Sequence, residues 1–547
     1  MSIQKLLVAN RGEIAVRVFR TCRELGVATV AVVAPDDVGA LHARSADETI
    51  EISGYLHSEE HIRAAKAVGA DAVHPGYGFI AERSDFAEAV ESSGLTWVGP
   101  SPEALRRGGD KIEAKRIARE AGVPVLPDGA PHEIGFPLLV KAAAGGGGRG
   151  MRVVRSNEEL DDALAAAERE AAGAFGDGTL YCERFLERPR HVEVQLLADA
   201  HGTVVAVGER DCSVQRRHQK VLEESPAPHL DAALRAAMLA AAVAFGEAIE
   251  YRSAGTVEFV VDGDEFFFLE LNGRIQVEHP VTEAVTRLDL IERQIRIAEG
   301  ERLVAQSHKV AGHAVEVRVY AEDPRTFLPQ AGRIERLGLP RETLSPGTLG
   351  SVRVDTGVEE GDEVGLSYDP LIAKLIAHGR DREDALDTLA AALEETEVAG
   401  ITTNLQFLRW LVSHPVVRAG EATTALLTEH PPLSPLPLLR TPAPWRQPWR
   451  LNLLAPPPAS PPDVDLESHR QGATQGESEV VAPMPGTVIR VEVELGTEVS
   501  ARQALVVLEA MKMEIPVHSP FAGIVKAVHV TAGDRVAGGA LLVELAS

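Results

Sequence analysis

The sequence predicts a multidomain α/β and α+β chain that closes with a small all-β domain. Three observations predict this. Short apolar strands alternate with amphipathic helical patterns from residue 5 to 110, strand pairs alternate with Ala-rich helices from about 111 to 320, and a β unit is repeated after residue 478. A chain of 547 residues has room for roughly three to four domains at about 150 residues each.

The first element is a run of strands, KLLVA, ATVAVVA, DAVHP and TWVGP, separated by helical patterns such as EIAVRVFRTCREL, whose apolar residues recur three and four apart. That grammar predicts a parallel sheet covered by helices over residues 1–110. An α+β catalytic unit is expected over 111–325, and a further α+β domain over 326–445.

Within the second element, KAAAGGGGRG at 141–150 stands between the strand-like stretches FPLLV and MRVV. Four successive glycines let backbone N–H groups close over phosphate oxygens. The absence of G-K-[ST] excludes a standard P-loop. A flexible linker is the bland alternative, but linkers are rarely wedged between two apolar strands, so a nucleotide lid is favoured.

The segment GTVEFVVDGDEFFFLELN should fold as a hairpin through DGDE, with Glu258 roughly opposite Glu270 and with Asn272 on the face of Glu270. Carboxylates that close repel unless neutralised, which suits a hard cation, Mg²⁺ or Mn²⁺. Two carboxylates on a solvent-facing sheet would give the same pattern.

Residues 431–462 hold twelve of the 34 prolines. This composition cannot build a packed core and predicts a partly extended tether, with the linker proper at 446–477. Trp445 and Trp449 lie in its first half, which either docks or merely spaces two domains.

After residue 478 an offset of 37 matches Gly486 with Gly523, Val493 with Val530, Gly496 with Gly533 and Val499 with Val536. Two quasi-symmetric β units predict a flattened barrel over 478–547. Lys512, in LEAMKMEIP, falls at the join, where pairing of LVVLEA with EIPVHS would hold its amine at a hairpin tip. A single lysine is usually just a solvated charge. One at the dyad of a duplicated unit is also where a carrier group could be attached.

The balance of 55 Lys plus Arg against 81 Asp plus Glu gives a net charge of -26, which repels phosphate backbones and anionic lipid, so neither nucleic acid nor membrane is an expected partner. Cys22, Cys182 and Cys212 show no C-x-x-C spacing and suit reduced thiols in a cytoplasmic protein. The start MSIQKLLVANRGE turns polar too soon for a targeting segment.

Taken together, ANRGEIAVRV, HPGYGF, GDK, KAAAGGGGRGMRVV, ERDCSVQRRHQK, RIQVEHPVTE and AEDP resemble biotin carboxylase along residues 3 to about 445, and AMKM resembles the attachment site of biotin carboxyl carrier domains. The combined layout resembles the alpha subunit of an acyl-CoA carboxylase. This resemblance implies an ATP-grasp biotin carboxylase fold, with a Rossmann-like N-terminal domain and a biotinyl domain at the end. It implies ATP, biotin on Lys512 and Mg²⁺ or Mn²⁺ as cofactors. Bicarbonate is then the substrate, and the partners are a carboxyltransferase beta subunit and a biotin protein ligase, in an oligomer.

By the same resemblance, Lys111, Lys141, Gly147, Gly148, Glu183, Arg184, Phe185, Leu186, His191 and His218 bind ATP. Glu258, Glu270 and Asn272 hold metal. Lys220, Arg274, Gln276 and the Val277 backbone hold bicarbonate; Glu278 is the general base, and Arg318 stabilises the enolate form of the biotin ureido group. Taken alone, each Arg or Glu would more simply be an ordinary ion pair. The family's usual Asn-Thr-Arg or Asn-Pro-Arg reads Asn272-Gly273-Arg274 here, and Ser-Glu-Asn after HPGYGF reads Ala81-Glu82-Arg83. The same half reaction could also serve a 2-oxo acid carboxylase, and a biotinylated but inactive scaffold is the non-enzymatic alternative.

Overall fold

In the computed structural model the described residues are 2–142, 151–175, 177–216, 219–304, 309–341, 349–365, 367–434, 478–482, 486–510, 513–536 and 539–546. The expected Pro-rich tether from 446 to 477, with Trp445 and Trp449, lies outside them, as do Gly147, Gly148, His218 and Lys512.

The first 100 residues form the expected parallel sheet. Its five strands run in the order Glu48–Glu51, Ala28–Val33, Lys5–Val8, Ala72–His74, Thr96–Trp97, every pairing parallel. The helix Gly12–Leu25 buries Ile14, Ala15, Val18, Phe19 and Cys22, the three- and four-residue spacing read from sequence. It stops at Gly26, whose φ of 72° lets the chain turn back.

The centre of the molecule is one antiparallel sheet of eight strands. From edge to edge they are Glu265–Asn272, Ser253–Asp262, Arg190–Ala198, Val204–Arg216, Gln219–Ser225, His313–Tyr320, Leu371–Gly379 and Ser351–Thr356. The boundary expected at residue 325 therefore falls between strands of a single sheet. One face of its far half packs Val315, Val317, Val319 and Leu375 against the helices Arg382–Glu395 and Leu405–Ser413. The opposite face carries the charged residues considered below.

A smaller four-stranded sheet contains Leu138–Ala142 paired with Arg152–Val154, so the glycine run is flanked by antiparallel strands as the sequence suggested. In the C-terminal domain two four-stranded sheets enclose a core that includes Val488, Leu505, Val506, Leu508, Leu542 and Val543. Gly486–Val491 and Gly523–Val528, matched by the 37-residue offset, fall in different sheets, which is the quasi-symmetry expected. Ala504–Ala510 and Met513–His518 pair as a hairpin with Ala510 opposite Met513.

Candidate active site

The sheet supplies the floor of the site. Glu258 stands opposite Glu270, and Thr256 opposite Asn272, across the hairpin made by Ser253–Asp262 and Glu265–Asn272. Side chains two apart on a strand share a face, so Glu258, Glu270 and Asn272 are gathered as expected. The Asn272 amide reaches Glu258 Oε1 at 2.6 Å.

Lys220 is the centre of the arrangement. Its Nζ lies 2.5 Å from Glu193 Oε2, 2.7 Å from Glu258 Oε1 and 2.7 Å from Glu278 Oε1. Lys220 and Glu258 sit on strands three positions apart in the sheet, about 14 Å on a flat ladder. The sheet is thus curled toward this face. Burial disfavours the ammonium, but three carboxylates outweigh it and raise the Lys220 pKa well above its usual value.

Glu278 immediately precedes the helix His279–Thr286, makes no capping bond with its side chain, and is fully buried. Its second oxygen, Oε2, is 3.0 Å from Arg318 Nη2, and Arg318 also meets Glu223 Oε1 at 2.5 Å. Burial alone would raise the Glu278 pKa; Lys220, Arg318 and Arg210 together hold it well below the usual carboxylate range. Arg210, fully buried, donates to Glu193 Oε1 at 2.5 Å and so fixes one carboxylate on Lys220.

Arg274 and Gln276 extend the site along the loop before Glu278. Arg274 donates to Gln276 Oε1 at 2.9 Å, to Asn272 Oδ1 at 3.0 Å and to Glu82 Oε2 at 3.1 Å. Gln276 Nε2 lies 3.2 Å from Glu258 Oε1. The Val277 carbonyl accepts from buried Lys374 at 2.9 Å, and the Gln276 carbonyl is 2.7 Å from His279 Nδ1. Two successive peptides are therefore held, which fixes where the Val277 N–H points. At Gly273 the backbone N–H donates to Glu82 Oε1 at 3.0 Å, a bond that proline could not make.

At the other end, Lys141 Nζ is 2.7 Å from Glu183 Oε1, and Lys115 pairs with the other oxygen of Glu183. Burial lowers the Lys111 pKa against the pull of Glu270. His191 accompanies Glu258, with Nε2 at 2.7 Å from Oε2, and its ring is fixed by Gln215 at 2.7 Å. Burial opposes its protonation, but Glu258 raises its pKa. Arg184, Phe185 and Leu186 follow Glu183, with the Arg184 and Phe185 amides bonded to the Pro127 and Pro137 carbonyls.

The donor set suits a hard divalent cation. Burial and then Glu258 raise the Glu270 pKa, and among the described residues Glu270 has neither a hydrogen bond nor an ion pair. A carboxylate in that state is stabilised by a cation beside it. Asn272 would then turn its amide oxygen toward the same point. Two other sets of three ligand types lie within 4.8 Å, His191/Glu193/Glu258 and Glu193/Cys212/Glu278. In both, Lys220 already neutralises the carboxylates.

Known proteins share this geometry and sequence. Models of the biotin carboxylase N-terminal domain, the carbamoyl-phosphate synthase L chain ATP binding domain and the biotin carboxylase C-terminal domain match residues 2–105, 110–306 and 316–429. The biotin carboxylase of Halalkalibacterium halodurans is 46% identical over 448 residues, 78% of this chain and 98% of that protein. The chain belongs to the biotin carboxylase family. A crystal structure of the Campylobacter jejuni biotin carboxylase superposes on this biotin carboxylase with a TM-score of 0.75 at 41% identity, over 78% of this chain and 99% of that one.

The model of biotin-requiring enzymes matches 478–545, so the carboxylase is joined to a biotinyl domain. The alpha3 subunit of a biotin-dependent acyl-coenzyme A carboxylase from Mycobacterium leprae is 40% identical, over 99% of this chain and 98% of its own length. Mouse mitochondrial pyruvate carboxylase is also similar, at 44% identity, but this chain covers 38% of it.

Sequence reasoning missed Glu193, Arg210, Glu223 and Lys374, all fully buried around the site. A signal existed for Glu193. It is the one acid in the fully buried run HVEVQLLA, and a lone acid in a buried strand needs a partner.

Proposed function

We propose that this biotin carboxylase is the alpha subunit of an acetyl- or propionyl-type acyl-CoA carboxylase. It carboxylates biotin on Lys512 and passes the carboxyl group to a separate carboxyltransferase subunit. The observation that carries the half reaction is the junction of Glu278, Lys220 and Arg318 on one sheet face. The end-to-end correspondence with an acyl-CoA carboxylase alpha subunit supports the choice of partner, since the pyruvate carboxylase likeness stops at the carboxylase part. Three buried free cysteines suit a reducing cytoplasm.

Glu278 takes the proton from bicarbonate, whose oxygens are held by Lys220, Arg274, Gln276 and the Val277 N–H. As bicarbonate draws Lys220 toward itself, the hold of that ammonium on Glu278 weakens and the carboxylate becomes the stronger base. Deprotonated bicarbonate attacks the γ-phosphate of ATP and ADP leaves, with Lys111 and Lys141 set against the phosphates. The product, carboxyphosphate, splits into CO₂ and phosphate. A cation held by Glu258, Glu270 and Asn272 supplies charge neutralisation at the phosphates. The released phosphate takes the N1 proton of the biotin ureido group, that nitrogen bonds to the carbon of CO₂, and Arg318 faces the negative charge that develops on the ring.

The test is direct. Purified protein, biotin protein ligase, ATP and labelled bicarbonate should place label on Lys512, detected by mass spectrometry under mild conditions. A biotinylated chain that hydrolyses no ATP in response to bicarbonate would instead be a scaffold. Co-purification identifies the transferase, and a 2-oxo acid transferase would overturn the acyl-CoA reading.

A further inference from the structure

Behind Arg318 lie two carboxyl groups that the proposed chemistry leaves unused. Glu223 on Gln219–Ser225 and Glu316 on His313–Tyr320 are cross-strand partners, and such partners have Cβ atoms about 4.5–5.5 Å apart on one face. Both are 0% exposed. Among the described residues none of their four carboxyl oxygens has an aligned hydrogen-bond donor.

Glu223 is compensated in charge, since its Oε1 is 2.5 Å from Arg318 Nη2. Among the described residues Glu316 has no ion pair. The adjacent strand's Lys374 stands opposite Arg318, but it is committed to Glu13 at 3.2 Å, Asp355 at 3.6 Å and the Val277 carbonyl at 2.9 Å. Over this face the helix His279–Thr286 packs Val281, Ala284 and Val285 on Ala314 and Ile376. An ionised Glu316 would thus be buried beside another carboxylate and under an apolar roof, which strongly favours its neutral form.

We propose that Glu223 and Glu316 share one proton and act together as a positioning unit for Arg318. The Glu316 O–H donates to Glu223, and Glu223, ionised, holds the same Arg318 Nη2 that meets Glu278. One proton supplies the missing donor and removes the carboxylate repulsion at once. The Arg318 Nη2 is then divided between Glu223 and Glu278, which keeps it from closing wholly onto the base. This rests on the reading that Arg318 acts on the reacting group.

Burial, with Glu223 close by, does lift Glu316 well above the usual carboxylate range, against the opposing pull of Lys374. The charged and titratable groups facing the pair are Arg318 on the same strand, Lys220 on Gln219–Ser225, Lys374 and His378 on Leu371–Gly379, and Glu278, His279 and Glu283 on the loop and helix above. As pH rises through the raised Glu316 value the pair becomes a dianion and draws Arg318 toward itself. Activity should therefore fall on the alkaline side.

The experiment uses the biotinylated full chain. Infrared difference spectra of wild type minus Glu316→Gln should show the C=O stretch of a protonated carboxyl group. In bicarbonate-dependent ATP hydrolysis, Glu316→Leu should lower kcat about tenfold, with KM for ATP unchanged. Glu316→Gln, whose amide can donate to Glu223 in place of the carboxyl, should recover most of that loss and lose the alkaline limb. Absence of the carboxyl band, or equal damage in the Gln and Leu variants, would overturn the shared proton. Full activity of Arg318→Gln would overturn the role of Arg318 instead, and the infrared band separates that failure from the first.

Discussion

Lys220 Nζ lies 2.7 Å from Glu278 Oε1, so the proposed base and a proposed bicarbonate ligand are bonded to each other before substrate arrives. Together with Arg318 and Arg210, Lys220 keeps Glu278 ionised at acidic pH. Lys220→Gln should raise the Glu278 pKa and move the acid limb of the kcat/KM profile to higher pH. Near neutral pH the loss should be about 10²-fold or more. Bicarbonate-dependent ATP hydrolysis measured across pH checks both.

Glu270 stands opposite Glu258, and the charges of Lys111 and Lys141 only partly offset its burial and the repulsion from Glu258. Glu270→Gln should weaken metal use more than nucleotide use. Titration with Mn²⁺ in the presence of ATP should show a metal requirement raised by about tenfold or more, a loss of about 1.4 kcal/mol or more in metal binding. Chelation of the divalent ion should abolish turnover in the wild type.

A second charged cluster joins the first domain to the central sheet. Arg17 meets Glu283 at 2.9 Å, and Arg353 meets Glu283 at 2.6 Å and Asp355 at 2.7 Å. Burial would raise both acids, but these arginines, joined by Lys374 at Asp355, hold Glu283 and Asp355 below their usual values. With folded values below unfolded ones, their contribution is present above the ordinary carboxylate range, about 4, and is lost as pH falls through the depressed values. Arg353→Leu should shift the acid-unfolding midpoint to higher pH and cost about 3–5 kcal/mol at neutral pH, because it leaves buried acids uncompensated. Circular dichroism against pH and calorimetry measure the two effects.

Lys512→Arg keeps the positive charge but removes the acylated amine. It should abolish biotin incorporation, read by avidin blot after treatment with biotin protein ligase. The melting temperature of the C-terminal domain should stay within a few degrees, since the substitution conserves charge and approximate length. Biotin found elsewhere on the variant chain would overturn the assignment.

The strands were legible in the sequence wherever one face is apolar. The period of two in GTVEFVVDGDEFFFLELN carried the hairpin far enough to bring Glu258 opposite Glu270, even though a bulge follows Glu258. What the sequence hid was reach across the sheet. Lys220 touches Glu258 because the sheet curls, and no local pattern encodes curl between strands separated by whole helices. Arg274 and Glu278 are four residues apart, but Arg274 sits in a loop and Glu278 is the residue just before the helix that follows, a change of structure that the spacing does not mark. Lys374 lay hidden in LIAKLIAHG as a lone cation in an apolar strand, with its partners more than three hundred residues away at Glu13 and nearby in space at Asp355.

Position 325 is not a hinge. The strands on either side of it belong to one sheet, with Val317 opposite Leu375 and Val354 opposite Leu375 from the other edge, and a bulge after Val319. Swinging one side against the other would shear several rows of hydrogen bonds at once, so this stretch of the enzyme answers to substrates as a stiff plate. The small sheet that carries Lys141 and Glu183 is hydrogen-bonded separately from this plate, so the spacing of Glu258 and Arg318 is set within the large sheet alone.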